Sequence, residues 1–476
     1  MSGAGAHIDP LQLKDPSCGR MMRDDAGGYK EVLRLALPLV LSTASMTLSL
    51  FMNRLFLSWY GRAAVAAATP GGITYFTICC FFMGAAQYVN TIVAQHYGAG
   101  DSRACARAMW QGVVFSLLST PLIAAVIPLG RLALAWGDHG ETLVKLEQDY
   151  FTALMFGGVM LPLNAALSSF FSGRGETKVV MWGNVAGSLV NGILDYCLIF
   201  GRFGFPELGI VGAGIATAVS GLVPAVYWLS VIFSAHYRRC WGTVMEMRWD
   251  RRLFMMLLRF GVPSGVQVFL DVASFALFVL LVGRLGEFSL AVTNIVLAIE
   301  MLSFLPMIGM SIATATLVGE HIGAGRTDIA EKSAYSALRL AMGYMAAMSV
   351  LFFVFPQTFI EFFRAGNEAP HEFERIIDEG TAILRIVALY NLFDTMFIVF
   401  SGALKGSGDT KFAMWAQLLL AWFFFVPPVY VLIAYFRADL LIVWVWAFVY
   451  IAVLGTLFFM RFRSGYWKNI GMLELG

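Results

Sequence analysis

The sequence predicts an all-α integral membrane protein with twelve transmembrane helices. Its composition, the number of its long apolar segments and an internal repeat support this fold class. Of the 476 residues, 59% are hydrophobic and only 13% are charged. A soluble domain carries about a quarter charged residues, so this chain has too few charges to cover a surface in water. Lipid is therefore the expected solvent, and the net charge of +2 argues against a nucleic-acid partner.

Twelve apolar segments are long enough to cross a bilayer, since a crossing helix needs about 20 apolar residues. Six fall in each half of the chain. The predicted spans are 35–59, 64–97, 105–130, 148–172, 179–201 and 210–235, followed by 255–283, 288–321, 330–356, 378–404, 412–436 and 439–460.

The distribution of Lys and Arg predicts the orientation. If the N-terminus is cytoplasmic, 23 of the 33 basic residues fall inside, as the positive-inside rule requires. We therefore expect a multi-pass protein of the plasma (inner) membrane with both termini cytoplasmic. Its expected parts are a polar tail (1–30), an N-lobe (31–236), a basic linker (237–253), a C-lobe (254–462) and a C-terminal tail (463–476).

The two halves repeat one another. Pro38 and Pro263 correspond at an offset of 225 residues, and so do two runs that end in Gly-Ala-Gly. A second pair of runs reads Gly-x-Gly-acid-Thr-Lys. These four runs are 91–100 and 316–325, then 173–178 and 406–411. Each half has an even number of spans, so the halves enter the membrane from the same side, and parallel repeats of this kind build transporters with the substrate cavity between them. The glycine clusters are expected to be tight turns between helices, because glycine adopts positive φ at no steric cost.

Together these motifs resemble the multidrug and toxic compound extrusion (MATE) family. The resemblance rests on the early proline of each half, the Gly-x-Gly-acid-Thr turns, Gln95–Gly100, Glu320–Gly325 and Asn191–Gly201, and it covers about 30–462. It implies two six-helix bundles facing a central cleft. It also implies export of organic cations, coupled to inward movement of Na⁺ or H⁺ and without a cofactor. The expected partners are small organic cations and the lipid bilayer, and the expected state is a monomer.

Two acidic residues in the second half are the main site candidates. Asp271 and Asp394 lie in the middle of apolar spans, where a charge costs at least about 2.5–3.5 kcal/mol. NorM-type members of the resembling family place an acid eight residues after the proline of helix 7, as Asp271 follows Pro263, and an acid in helix 10 that matches Asp394. Tyr390 precedes Asp394 by one helical turn, and Asn294 in helix 8 is expected to be a polar partner of Asp271. These residues are predicted to bind the cation or the substrate, and the two aspartates are also the candidate Na⁺ ligands.

The first half departs from the family pattern. Many relatives carry an aspartate late in helix 1 where this chain has Asn53, which cannot take up a proton at physiological pH. Asn191 and Asp195 lie one turn apart in helix 5 and could form a second polar site with Asn53. Glu300 in helix 8 is a further acid at membrane depth, but it matches no position of the family pattern.

Alternative functions follow from the same observations. A lipid-linked oligosaccharide flippase of the same wider superfamily would need several basic residues in its cavity, whereas the mid-span charges here are acidic. A membrane enzyme would need a catalytic constellation at membrane depth, and a receptor would not need two matched halves. For the exporter, oxygen ligands favour Na⁺ slightly as the coupling ion, although the same carboxylates could carry H⁺.

Overall fold

The computed structural model describes residues 26–136, 140–364 and 370–473. Within these ranges twelve helices are long and apolar enough to cross a membrane. The first six are α1 Tyr29–Tyr60, α2 Arg62–Gly98, α3 Ser102–Ala135, α4 Glu141–Ser172, α5 Thr177–Phe200 and α6 Gly209–Ile232. The second six are α7 Arg251–Gly283, α8 Glu287–Gly323, α9 Thr327–Val354, α10 Phe373–Ser407, α11 Thr410–Ala434 and α12 Leu440–Arg463.

These helices match the twelve predicted spans, and the all-α membrane fold class is confirmed. Several helices begin earlier than their apolar segments, because polar residues such as Lys30 and Glu141 continue the helix beyond the apolar run. Most of the predicted N-terminal tail, residues 1–25, lies outside the described residues.

The doubled glycine motifs form the turns expected of them. Gly100 and Gly325 have φ values of +83° and +72°, a conformation in which a Cβ atom would be strained. After the first of these turns, the Asp101 carboxylate accepts a hydrogen bond from the backbone N–H of Ala104 at 2.9 Å. That bond satisfies one of the free N–H groups at the start of α3.

Helices α1–α6 form one bundle and α7–α12 form a second, with a cleft between them. We call the side of the molecule that carries the start of α1, the segment 233–250 and the end of α12 the terminal face, and the opposite side the distal face. A hydrophobic core joins the bundles near the terminal face, where Leu35 and Leu39 of α1 cluster with Met310 and Leu317 of α8. Near the distal face, the core that contains Phe56 and Ile210 belongs to the first bundle alone. The cleft is therefore closed at the terminal face and opens toward the distal face.

The closed side is held by a pair of equivalent helix contacts. A Cβ atom added to Gly98 of α2 would lie 1.9 Å from the carbonyl oxygen of Glu320 in α8. A Cβ atom added to Gly323 would lie 1.9 Å from the carbonyl oxygen of Gln95. Gly98 corresponds to Gly323 in the repeat, and Gln95 corresponds to Glu320. The two contacts are therefore related by the pseudo-twofold axis between the bundles. We call these two contacts the glycine gate.

The segment 233–250 between the bundles is docked on the first bundle. Trp110 of α3 donates its Nε1–H to the carbonyl oxygen of Thr243 at 2.8 Å. Arg107 forms ion pairs of 3.1 Å with both Glu246 and Asp250. Because Asp250 also caps α7 by accepting from the N–H of Leu253 at 3.1 Å, this fixed segment ends where the second bundle begins.

A buried arginine anchors the start of the same segment. Arg174, in the turn before α5, is almost fully buried and lies between two rings, with its Cζ atom 3.8 Å from the Phe170 centroid and 4.1 Å from the Trp241 centroid. Its guanidinium also makes two 3.1 Å hydrogen bonds to Glu176. Burial and the Glu176 carboxylate raise the pKa of Tyr237, so the Tyr237 hydroxyl stays protonated and donates to Glu176.

The chain after α12 crosses the terminal face. The Trp467 ring stacks on Phe462 at 4.8 Å, and Met472 is buried, with its sulfur accepting from the Tyr88 hydroxyl of α2 at 3.3 Å. This segment therefore contacts the first bundle as well as its own. The end of the predicted C-terminal tail, 474–476, lies outside the described residues.

Candidate functional site

The first group of polar side chains lies inside the second bundle, around Asp271. Asp271 is on α7, and its carboxylate oxygen Oδ1 accepts a hydrogen bond from Gln417 Nε2 of α11 at 2.9 Å. The same Gln417 amide donates to the hydroxyl of Tyr450 on α12 at 3.1 Å. Gln417 and Tyr450 are buried, whereas Asp271 is exposed. Three helices thus converge on one carboxylate that remains accessible in the middle of its span.

A second group lies beside it and contains two more carboxylates. Asp394 and Tyr390 are both buried on α10, one helical turn apart. The Tyr390 hydroxyl hydrogen-bonds the carboxylate of Glu300 on α8. Asp394 lies within electrostatic range of both Glu300 and Asp271. We call Asp271, Glu300 and Asp394 the carboxylate cluster.

Two buried oxygen atoms on the helices of this cluster or next to it have no hydrogen-bond partner. The Oε1 atom of Gln417 and the Oδ1 atom of Asn391, which lies between Tyr390 and Asp394 in the sequence, are buried without a hydrogen-bond partner. A buried acceptor without a partner costs about 1–3 kcal/mol. Carboxylate and carbonyl oxygens are the ligands that hard cations prefer, so the oxygens of Asp271 and Gln417 are of the type that such a cation binds. Across the described ranges, no group of three or more His, Cys, Asp or Glu side chains could hold a metal ion, and the Na⁺ assignment to Asp271 and Asp394 stays a prediction.

Three residues of this region were missed by sequence reasoning. Gln417 hydrogen-bonds Asp271 directly, and Tyr450 is linked to Asp271 through the Gln417 amide. Lys405 of α10 lies within electrostatic range of Asp271. Gln417 could have been noticed as a lone amide in an apolar span. Asn294, the expected partner of Asp271, has an exposed side chain on α8, and its role stays a prediction; the hydrogen bond to Asp271 comes from the Gln417 amide.

In the first bundle, three polar side-chain pairs join α1 to α5, and we call this row of pairs the polar ladder. Asn53 Nδ2 donates to Asp195 Oδ1 at 3.3 Å, and the Ser49 hydroxyl hydrogen-bonds the amide oxygen of Asn191. One further rung joins Asn184 to the Ser42 hydroxyl at 2.6 Å. All three pairs are separated by 142 residues, so the rungs recur at spacings of seven and four along two parallel helices.

The ladder leaves two buried polar atoms without a partner. These are Asp195 Oδ2 and Asn191 Nδ2, and Asp195 itself is fully buried. The structure therefore brings together Asn53, Asn191 and Asp195, the three residues of the expected second polar site. Tyr150 of α4 also lies within electrostatic range of Asp195.

Comparison with known proteins shows which family has this architecture. The MatE family model matches residues 38–197 and 263–431, one match in each half. The chain is 25% identical over 445 residues to the "Probable multidrug resistance protein NorM" of Thermotoga maritima, a match that covers 93% of this chain and 94% of the relative. It is 27% identical over 462 residues to the protein of the same name from Bradyrhizobium diazoefficiens, covering 96% of this chain and 98% of the relative.

A solved structure agrees at the level of the fold. It is titled as the outward-facing conformation of a multidrug resistance MATE family transporter of the MOP superfamily. The two chains are 20% identical, with a TM-score of 0.82 over 94% of this chain and 100% of that one. The resemblance read from the repeated motifs is confirmed. The chain belongs to the MatE family, whose members are transporters and not enzymes.

Proposed function

We propose that this protein exports small organic cations across the plasma membrane by antiport, with an inward flow of Na⁺ or H⁺. The observation that carries the proposal is the carboxylate cluster, in which three helices of the second bundle place acids at membrane depth. Charges are costly there, so three acids in one bundle need a cationic partner. The names of the relatives, which describe multidrug resistance proteins, support the same substrate class.

Competition for the carboxylates would drive the exchange. An organic cation and the coupling ion cannot both neutralise the same acids. Asp271 is exposed, and the cleft opens toward the distal face, so an ion arriving from that side meets Asp271. Arrival of the coupling ion would displace the drug, and the two bundles would then rock to open the terminal face.

Na⁺ is the coupling ion that the donor atoms fit better. The unpartnered Oε1 atom of Gln417, the Asp271 carboxylate and the Tyr450 hydroxyl are all oxygen donors on neighbouring helices. The ladder residues Asn53 and Asp195 would form the second ion site in the first bundle, where the buried Asp195 Oδ2 atom has no hydrogen-bond partner.

The positive-inside bias supports a cytoplasmic terminal face, so the described conformation would be open to the outside. The monomer is the expected unit, because each chain holds both bundles and the cleft between them. A flippase is less well supported, since the cluster places three acids against the single Lys405.

Ethidium efflux from reconstituted vesicles tests the proposal. Gradients of Na⁺ and of H⁺ are imposed separately, at fixed pH in the first case and with choline replacing Na⁺ in the second. Asp271→Asn and Asp394→Asn should each abolish gradient-driven efflux while the folded yield stays normal. Asp439→Asn, an exposed aspartate between α11 and α12, is the matched control and should transport normally.

The outcomes separate the parts of the proposal. Normal efflux by both cluster variants would reject the carboxylate cluster as the exchange site. Full efflux under a pH gradient alone, without Na⁺, would replace Na⁺ by H⁺ and leave the site in place. Absence of organic-cation efflux under either gradient in the unmodified protein would reject the function.

A further inference from the structure

A basic cavity lies at the terminal face, away from the carboxylate cluster. It has a volume of about 360 Å³ and lies between the start of α1 and helix α9. The described part of its lining contains two cationic side chains, two tyrosines, a serine and a glycine, and no acid. These residues are Gly28, Tyr29, Lys332, Tyr335, Ser336 and Arg339.

The two cations of the cavity have only neutral partners among the described residues. Lys332 Nζ donates to the carbonyl oxygen of Ala26 at 3.2 Å, and Arg339 Nη1 donates to the Tyr29 hydroxyl at 3.3 Å. The two side chains lie seven residues apart on α9, so they project from the same face of the helix. Both are exposed. Among the described residues, neither positive charge is paired with an acid, and both line one opening.

The start of α1 adds further attraction for an anion. The cavity includes Gly28 and Tyr29, the residues at which α1 begins. Free N–H groups at the start of a helix carry a partial positive charge that favours phosphate. Lys30 and Arg34, on the first two turns of α1, are also exposed, whereas Glu31, the acid of the first turn, is buried and accepts from the Gly27 N–H at 2.7 Å.

An apolar stripe leads away from the cavity along α1. Tyr29, Leu33, Leu37 and Leu41 recur every four residues, and each is between 43% and 59% exposed. Residues four apart lie on one face of a helix. A ligand with a phosphate at the cavity could therefore lay a hydrocarbon chain along this stripe, which a free phosphate ion would leave uncovered.

We propose that this cavity binds the phosphate headgroup of an anionic phospholipid, whose acyl chains follow the stripe on α1. Basic pockets between transmembrane helices at a membrane surface are suited to such headgroups. The site joins the two bundles, because Tyr29 belongs to the first and Lys332 and Arg339 belong to the second. Ser336 strengthens the same junction by donating to the carbonyl oxygen of Gly27 at 2.8 Å. A bound lipid would therefore contact both bundles at the terminal face.

Native mass spectrometry and thermal unfolding of the purified full-length protein test this site. The probes are phosphatidylglycerol and, as the zwitterionic comparison, phosphatidylcholine. We expect phosphatidylglycerol to be retained and to raise the melting temperature. The variant Lys332→Gln/Arg339→Gln should weaken that binding about 25-fold, since each basic residue near an anionic membrane surface contributes about a factor of five.

Two further variants make the test specific. Arg238→Gln/Arg239→Gln removes two exposed charges from the same face outside the cavity and should bind phosphatidylglycerol as the unmodified protein does. Lys332→Arg/Arg339→Lys keeps the charge and should also bind. Melting in phosphatidylcholine alone checks that every variant is folded.

Three results would overturn the proposal. The first is unchanged phosphatidylglycerol retention by the folded Lys332→Gln/Arg339→Gln variant. The second is an equal loss of binding in Arg238→Gln/Arg239→Gln, which would indicate a diffuse surface effect. The third is an equal rise in melting temperature with inorganic phosphate or glycerol phosphate at the same headgroup concentration, which would make the ligand a soluble phosphate.

Discussion

A single methyl group at the glycine gate should shift the transporter away from the conformation described here. In Gly98→Ala, the new Cβ atom would lie 1.9 Å from the Glu320 carbonyl oxygen, whereas ordinary contact begins at 3.4 Å. The two backbones must therefore separate by about 1.5 Å. Overpacking of this kind costs about 1–3 kcal/mol, which changes a two-state population ratio about 5- to 150-fold.

The equivalent change on the other side of the pseudo-twofold axis should act in the same direction. Gly323→Ala places a Cβ atom 1.9 Å from the Gln95 carbonyl oxygen. Both substitutions open the same interface, so the second should cost less once the first is present, because mutations that share a contact are not additive. The free energy by which the double variant destabilises the closed-gate state should therefore be smaller than the sum of the two single-variant values.

Double electron–electron resonance can measure this shift. Spin labels at Trp136 and Phe362, two highly exposed residues at the distal ends of the two bundles, report the width of the cleft. Gly98→Ala and Gly323→Ala should increase the fraction of short distances, because opening the terminal face closes the distal face. Gly343→Ala in α9, where a Cβ atom meets nothing within 4 Å, is the control. A distance distribution for Gly98→Ala identical to that of the control would refute the gate.

Three further predictions concern other parts of the molecule. Gln417→Leu removes the amide that contacts Asp271, and it should raise the half-saturating Na⁺ concentration of transport about 10-fold, the equivalent of about 1.4 kcal/mol; an unchanged Na⁺ titration would contradict this role. Asn53→Asp places a second carboxylate against Asp195, so its melting temperature should fall more steeply than that of the unmodified protein as the pH rises, and parallel pH curves would argue against the contact. Arg174→Lys loses the bidentate ion pair to Glu176 and the ring stacking, so it should lower the free energy of unfolding by about 2 kcal/mol. Thermal unfolding measures this change, and an unchanged stability would show that a single positive charge at this position is sufficient.

The sequence predicted the fold well, because lipid imposes strong patterns. Every apolar span of the required length became a helix, and the repeated Gly-Ala-Gly runs became turns with positive φ at Gly100 and Gly325. These features depend on local chemistry. The close approach of Gly98 to Glu320 was not predicted, since it depends on how the two bundles meet.

The site was predicted less completely, because polar contacts between helices depend on how each helix is rotated. Asp271, Tyr390 and Asp394 could be selected, since a lone acid or its neighbour in an apolar span is conspicuous. Choosing Asn294 over Gln417 as the partner of Asp271 required knowing which helix faces α7. Hydropathy does not carry that information.

Helix α8 physically connects the carboxylate cluster to the glycine gate. Glu300 belongs to the cluster, and Glu320 provides the carbonyl oxygen that contacts Gly98. Both lie on one helix of 37 residues, about 30 Å apart at the usual rise per residue. No loop therefore intervenes between the carboxylate cluster and the glycine gate on this helix.

A proline lies between these two ends of α8 and interrupts the hydrogen bonding of the helix. Pro306 has no N–H group, so it cannot bond the Leu302 carbonyl oxygen four residues earlier. The Tyr344 hydroxyl of α9 donates to that oxygen at 3.5 Å, while the Thr43 hydroxyl of α1 donates to Leu305 at 3.3 Å. The backbone hydrogen bonding of α8 is thus interrupted at the level where the two bundles touch. Pro306 therefore separates the part of α8 that carries Glu300 from the part that carries Glu320, while the α1–α8 contact joins the two bundles.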